Sequence, residues 1–264
     1  MRILVTNDDG IHAKGLGALV RVAEQIGDEV WTVAPETDQS GVAHSMSLND
    51  PLRLRQVGER AYAVRGTPTD CVLMAVRHIM PEPPDLILSG FNKGQNLAED
   101  ITYSGTVAAA IEGTILGVRS IALSQAYSFA PDTHPPYETG EALAPEIVRK
   151  LLDLDLPRET LININFPNRA PGAVEGVRVT GQGRRNIDFL AIDKRMDGRG
   201  NAYYWLAYNG QNPKPDTGTD LESVRAGYVS VTPLSVDMTD HATRDAVAEA
   251  LGVKTDGSDG PGNR

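Results

Sequence analysis

The sequence predicts an α/β fold, a Rossmann-like and mostly parallel sheet flanked by helices, with a β-rich hairpin or arm toward the C-terminus. Short apolar runs rich in β-branched residues, such as those at 3–5, 30–34, 86–88 and 121–123, read as strands buried on both faces. Residues at helical spacing stand between them, so strand and helix alternate as parallel connections require. A third observation marks the arm. From about residue 170 the texture changes to short β-like pieces, and the aromatic cluster Tyr203-Tyr204-Trp205 stands out in a chain with only 5% aromatic residues.

The first strand, at Ile3-Leu4-Val5, exits through Asn7-Asp8-Asp9-Gly10. Adjacent carboxylates repel unless something positive lies between them, and a hard divalent cation is a common solution. A solvated turn uses the same residue types, so both readings stand at this point. Leu16, Leu19, Val20, Ala23 and Ile26 then form a helical face that Gly27 stops. Residues 29–34 form a second strand, and the polar loop from Pro35 to Ser47 carries Asp38, Gln39, Ser40, Gly41 and His44. Strands at 52–56 and 61–64 follow, joined by a tight turn.

Thr67-Pro68-Thr69-Asp70 is a helix start, with Thr67 as N-cap and Pro68 at the first helical position. Cys71 belongs to that helix's apolar face and reads as a core filler. The strand at 85–90 runs into the polar loop Phe91-Asn92-Lys93-Gly94-Gln95-Asn96. Ser104-Gly105-Thr106 precedes the helical set Val107, Ala110, Ile111, Thr114 and Ile115. Unpaired amides and the positive end of a helix dipole make such a terminus an anion site, compatible with N-capping by Ser104. A strand at 120–124, an excursion at 126–138, a helix at 141–152 and a strand at 161–166 complete the first part. Residues 229–232 form a late strand, 233–240 a loop carrying Asp237 beside His241, and 242–251 a terminal helix. The tail at 254–264 is rich in Gly, Asp and Ser and is expected to be disordered. The expected division is a catalytic core at 1–168, an oligomerisation arm at 169–228, and a return strand, site loop and helix at 229–253.

A chain of 264 residues supports one large domain or a domain with an appendage. No run is long and apolar enough for a bilayer, and the N-terminus lacks a secretory pattern. With Cys71 as the single cysteine, this leads to the expectation of a cytoplasmic protein. A net charge of -10 disfavours a nucleic acid polymer as partner but allows a small phosphorylated ligand beside a cation.

The pair Asp8 and Asp9, then Ser40, then Asn92 lie just beyond the carboxyl ends of three different predicted strands. In an open parallel sheet those ends line one ligand crevice. The donors are all oxygen, which suits Mg²⁺, Mn²⁺ or Ca²⁺ and disfavours zinc.

These motifs resemble the SurE family of nucleotidases. The resemblance rests on residues 7–10, 39–41, 66–70, 89–92, 103–107 and 229–234, in family order over residues 1–241. It implies a divalent-metal-dependent phosphatase for nucleoside 5′- and 3′-monophosphates, with short polyphosphate as a further substrate, and one Mg²⁺ or Mn²⁺ per subunit. It also implies a homodimer formed by an exchanged C-terminal arm, paired further into a tetramer. By position, the resemblance assigns Asp8, Asp9, Ser40 and Asn92 to the metal. It places Asn96, Ser104, Gly105 and Thr106 at the phosphate, with Asp237 and His241 near the site or its assembly loop. Lys14, Phe91 and Ser235 depart from the family pattern without removing a ligand, and Phe91 puts substrate preference in question. The expected mechanism is in-line attack on phosphorus by metal-held water, with Asp8 or Asp9 as base and His241 as candidate acid. A haloacid-dehalogenase-like phosphatase would need a nucleophilic Asp where Asn7 stands. A non-enzymatic nucleotide or phosphate sensor would have little need for two adjacent carboxylates.

Overall fold

The computed structural model describes residues 1–128, 130, 133–185, 190–208 and 214–254. Among the described residues nine strands form one sheet: β1 (Arg2–Thr6), β2 (Glu29–Pro35), β3 (Arg53–Gly58), β4 (Ala61–Arg65), β5 (Leu86–Lys93), β6 (Arg119–Gln125), β7 (Thr160–Phe166), β8 (Val177–Val179) and β11 (Val229–Ser235). Their order is β3-β4-β2-β1-β5-β6-β7-β11-β8. From β4 to β7 every neighbouring pair is parallel, while β3 and β11 run antiparallel to β4 and β7. After β1 the chain builds outward through β2 to one side, then returns to add β5, β6 and β7 on the other. The order therefore reverses between β1 and β5, where an open α/β sheet leaves its ligand crevice.

Strand alternation assigns the two faces. Ile3 and Val5 point into a core with Leu16 and Leu19 of α1 (Lys14–Ile26) and Ala144 and Val148 of α4 (Tyr137–Leu152). Leu4 points the other way, onto Cys71 and Val72 of α2 (Pro68–Met74) and Ala109 of α3 (Gly105–Ile115). Both faces of the central strands are covered, which is why those runs are apolar throughout. Thr67 caps α2 as expected, in a reciprocal box with Asp70.

Four boundaries differ from the sequence reading. The strand expected to end at Gly90 continues to Lys93, with a register shift between Ser89 and Asn92, so residues 91–93 are strand rather than loop. Gly90 permits this at φ +138, since a Cβ there would lie 2.1 Å from the Leu123 carbonyl oxygen. β11 likewise runs on to Ser235, with Pro233 beyond the span paired to β8, where its missing N–H costs no bond there. The helix expected at 141–152 begins at Tyr137, drawing the end of the excursion into regular structure. The apolar face expected to continue to Ile79 leaves α-geometry at Met74 and finishes as a π-helical turn, Ala75–Ile79.

β9 (Leu190–Met196) and β10 (Ala202–Tyr208) pair antiparallel as a separate two-stranded ribbon. β8 and α5 (Asp220–Arg225) lie in the same stretch of sequence, but β8 joins the main sheet beside β11. Within 169–228, the ribbon forms a sheet of its own while β8 joins the main one. The expected tail at 254–264 falls, beyond residue 254, outside the described residues. Among the described residues no helix is long and apolar enough to cross a membrane.

Candidate active site

The crevice is assembled at the β1–β5 switch point. Asn7 closes the turn after β1: its side chain donates to the Gly10 carbonyl at 3.0 Å and accepts the Gly10 amide at 3.2 Å. This commits Asn7 to shaping the corner and leaves Asp8 and Asp9 to project from it. Asp8 is buried and turns toward α3, accepting a hydrogen bond from the Thr106 hydroxyl at 2.5 Å. That approach depends on a missing side chain. A Cβ on Gly105 would lie 2.7 Å from the Asp8 Cβ, so only glycine lets this helix terminus pack on the carboxylate. Asp9 accepts from the Lys93 amide at 2.9 Å, which ties β1 to the extended end of β5.

The second loop is pinned to the same corner. The Gln39 amide donates to the Asp8 carbonyl at 2.8 Å, and the Ala43 amide to the Tyr103 carbonyl at 3.2 Å. Asp38 Oδ1 accepts both the amide and the hydroxyl of Ser40, at 2.7 and 2.6 Å. Asn92 donates its amide to the Gly94 carbonyl at 2.9 Å, leaving Oδ1 as an acceptor. Ser104 caps α3 by accepting the Val107 amide at 3.1 Å, and the first-turn amides of Gly105 and Thr106 are those helix geometry leaves unpaired.

Three acids therefore share one corner, and their electrostatics follow. Burial pushes the Asp8 carboxyl up to about 7, with Asp9 and Asp38 adding like-charge repulsion, even though the Thr106 hydrogen bond acts the other way. Asp9 is also raised, again by burial first, with the Lys93 amide and ammonium opposing and Asp38 reinforcing. Carboxylates in this state gain from a cation placed among them. The available donors are the carboxylates of Asp8 and Asp9, Asn92 Oδ1 and the Ser40 hydroxyl, all hard oxygens. No three His, Cys, Asp or Glu side chains converge as a metal cage among the described residues. Two carboxylates completed by neutral oxygens suit a hard divalent cation rather than zinc.

The expected site residues fall into three sets. Asp8, Asp9, Ser40, Asn92, Ser104, Gly105 and Thr106 come together around the switch point. Asn96 is buried one layer away, donating to Ser124 Oγ and accepting at its carbonyl from Asn163 and Asn165. Asp237 and His241 pair with each other at 3.2 Å at the exposed start of α6 (His241–Leu251). Among the described residues no hydrogen bond joins either of them to the Asp8 corner. Asp237 is held down to about 2 by the Thr239 side chain and amide, with His241 contributing. Sequence reasoning passed over Asp38, whose signal was its position two residues before Ser40, where an Asp side chain bonds back onto the turn. It also passed over Lys93, next to Asn92.

The comparisons with known proteins agree with this architecture. The model of the family described as survival protein SurE matches residues 3–188. The chain is 56% identical over 254 residues to 5'-nucleotidase SurE of Bradyrhizobium diazoefficiens, covering 95% of this chain and 100% of that protein. It is 58% identical over 252 residues to 5'-nucleotidase SurE of Azorhizobium caulinodans, covering 95% and 99%. The crystal structure of the SurE protein from Aquifex aeolicus superposes with a TM-score of 0.82 at 38% identity, covering 95% of this chain and 100% of that one. A family model spanning most of the catalytic sheet, near full-length relatives and a shared fold lead to one conclusion: the chain belongs to the survival protein SurE family.

Proposed function

We propose that this chain is a divalent-metal-dependent phosphomonoesterase that removes phosphate from nucleoside 5′- and 3′-monophosphates, with short-chain polyphosphate as a further substrate. The observation that carries this reading is the Asp8–Asp9 corner packed against the N-terminus of α3 through Gly105 and Thr106. The relatives named 5'-nucleotidase support the substrate class. Asp8, Asp9, Ser40 and Asn92 would hold Mg²⁺ or Mn²⁺, which supplies a Lewis acid for the phosphoryl oxygen and a lowered pKa for a water.

The chain's own residues do the rest. Thr106 holds Asp8 in one orientation, and the Lys93 amide does the same for Asp9. One of the two carboxylates accepts the proton of the attacking water as the new P–O bond forms and the ester P–O bond breaks. The Ser104 hydroxyl and the amides of Gly105 and Thr106 face the charge that develops on the equatorial oxygens. We assign protonation of the leaving oxygen to solvent rather than to His241, which is engaged with exposed Asp237. Asn96 acts by anchoring the loop between β5 and α3.

We further propose that residues 169–228 carry the arm by which two chains form a dimer and then a tetramer. The supporting observation is an apolar ribbon exposed on both faces, with Ile192 71%, Trp205 58% and Leu206 79% accessible. A cytoplasmic location fits the lone buried Cys71.

The experiment is phosphate release from 5′- and 3′-mononucleotides, triphosphates and short polyphosphate with Mg²⁺, Mn²⁺ or EDTA. Release that requires metal and disappears in Asp9→Asn supports the enzyme. Nucleotide binding without release under any metal would instead make the chain a sensor.

A further inference from the structure

The corner described above has an electrostatic problem. Asp8, Asp9 and Asp38 present three carboxyl groups to a ligand that is itself a dianion, and one divalent cation cannot offset both. Lys93 is the cation built into this corner. Its amide donates to Asp9 Oδ2 at 2.9 Å, which fixes its backbone directly beside the carboxylate. Its ammonium lies over the Tyr127 ring, 5.7 Å from the centroid, a placement that orders a long side chain without neutralising it. The residue is exposed, and its charge acts on Asp9. Among the described residues no ion pair includes Lys93, whose contacts are the Asp9 carboxylate through its amide and the Tyr127 ring through its ammonium. An exposed, ordered lysine at the mouth of an acidic crevice has one use that its surroundings do not already supply, which is to meet the ligand's charge.

We propose that Lys93 is a substrate-binding residue whose ammonium, ordered by Tyr127, contacts a non-bridging oxygen of the reacting phosphate. This rests on the phosphomonoesterase reading and deepens it by assigning the contact to the phosphate rather than to the nucleoside. The consequence is a recognition element that every phosphomonoester shares.

The test compares wild type, Lys93→Ala and Lys93→Arg, with Mg²⁺ or Mn²⁺ present, on adenosine 5′-monophosphate and on p-nitrophenyl phosphate, which has no nucleoside. Loss of one charge-assisted contact is expected to raise KM about tenfold for both substrates and to weaken inhibition by inorganic phosphate by the same factor. The expected change in kcat is under about threefold, with recovery in Lys93→Arg. The thermal midpoint should move by no more than about 4 °C, because the exposed side chain gives up only its Tyr127 contact and its field at Asp9. A rise in KM confined to the nucleotide would overturn the proposal in favour of a nucleoside contact, and unchanged phosphate inhibition would overturn it outright. If wild type hydrolyses neither substrate, the phosphomonoesterase reading fails separately. Calorimetric binding of inorganic phosphate to wild type and Lys93→Ala then decides the matter, equal affinities ruling the contact out.

Discussion

Asp8→Asn should make the metal-free protein more stable while removing its activity. Asp8 is buried against Thr106, and burial with two like-charged neighbours raises its carboxyl from 3.8 to about 7. Because the folded state holds this proton more tightly than the unfolded state, ionisation of Asp8 opposes folding. The cost is absent below about pH 4, grows as pH rises, and is complete above about pH 7. Converted at 1.36 kcal/mol per tenfold, the full cost is about 4 kcal/mol at pH 8 and under about 2 kcal/mol at pH 5. Asparagine keeps an acceptor for the Thr106 hydroxyl but carries no charge, so roughly half of the ceiling, about 2 kcal/mol, is a reasonable net gain. For a chain of this size that is a rise in Tm of about 4 to 8 °C. The assay is thermal unfolding of both proteins in EDTA at pH 8 and pH 5, with phosphate release measured in parallel. The variant should lead at pH 8, lead by less at pH 5, and lose at least about 100-fold in turnover with metal. A variant less stable than wild type at pH 8, or an advantage independent of pH, would refute the claim that Asp8 is held at an electrostatic cost. Saturating Mg²⁺ should reverse the ranking by stabilising wild type alone.

Gly105→Ala should fold, since α3 tolerates alanine, but push the helix terminus off Asp8, from which its Cβ would stand only 2.7 Å. A displacement approaching an ångström predicts about a 100-fold loss in kcat/KM, read in steady-state kinetics with circular dichroism as the fold control. Thr106→Val removes the hydrogen bond that opposes the rise of the Asp8 carboxyl, so the acid limb of the pH–rate profile should move to higher pH, and Thr106→Ser should restore it. His241→Ala should change kcat/KM by less than about threefold, because its partner is the exposed Asp237. A larger loss on nucleotides than on p-nitrophenyl phosphate would return His241 to the role of general acid. Deleting the ribbon at 190–208 should yield monomers by light scattering, and an unchanged mass would remove the ribbon from assembly.

Much of the site was legible because it is local chemistry repeated at strand ends. Adjacent acids after the first strand, a serine in the second loop and an asparagine after the 85–90 run all sit where a parallel sheet exposes its carboxyl edge. The capped start of α3 was equally visible in Ser104-Gly105-Thr106, since caps and small residues act within one turn. Strand continuation was less visible. Asn92 and Lys93 looked like loop because they are polar, yet β5 persists across them by pairing with Ser124 and Gln125 of β6, partners some thirty residues distant.

What the sequence by itself determined is the alternation of strands and helices and the oxygen-rich side-chain types that follow the strands of the candidate crevice, all set by short-range periodicity and side-chain type. The tertiary structure decided how those residues are spent. Thr106 gives its hydroxyl to Asp8, Asn96 gives its amide to Ser124, Asp38 joins the corner as a third acid, and Lys93 is fixed beside Asp9. It also paired Asp237 with His241 at the exposed start of α6. These outcomes depend on contacts between segments far apart in the chain, and on the burial that raises a carboxylate's pKa, neither of which a local pattern encodes.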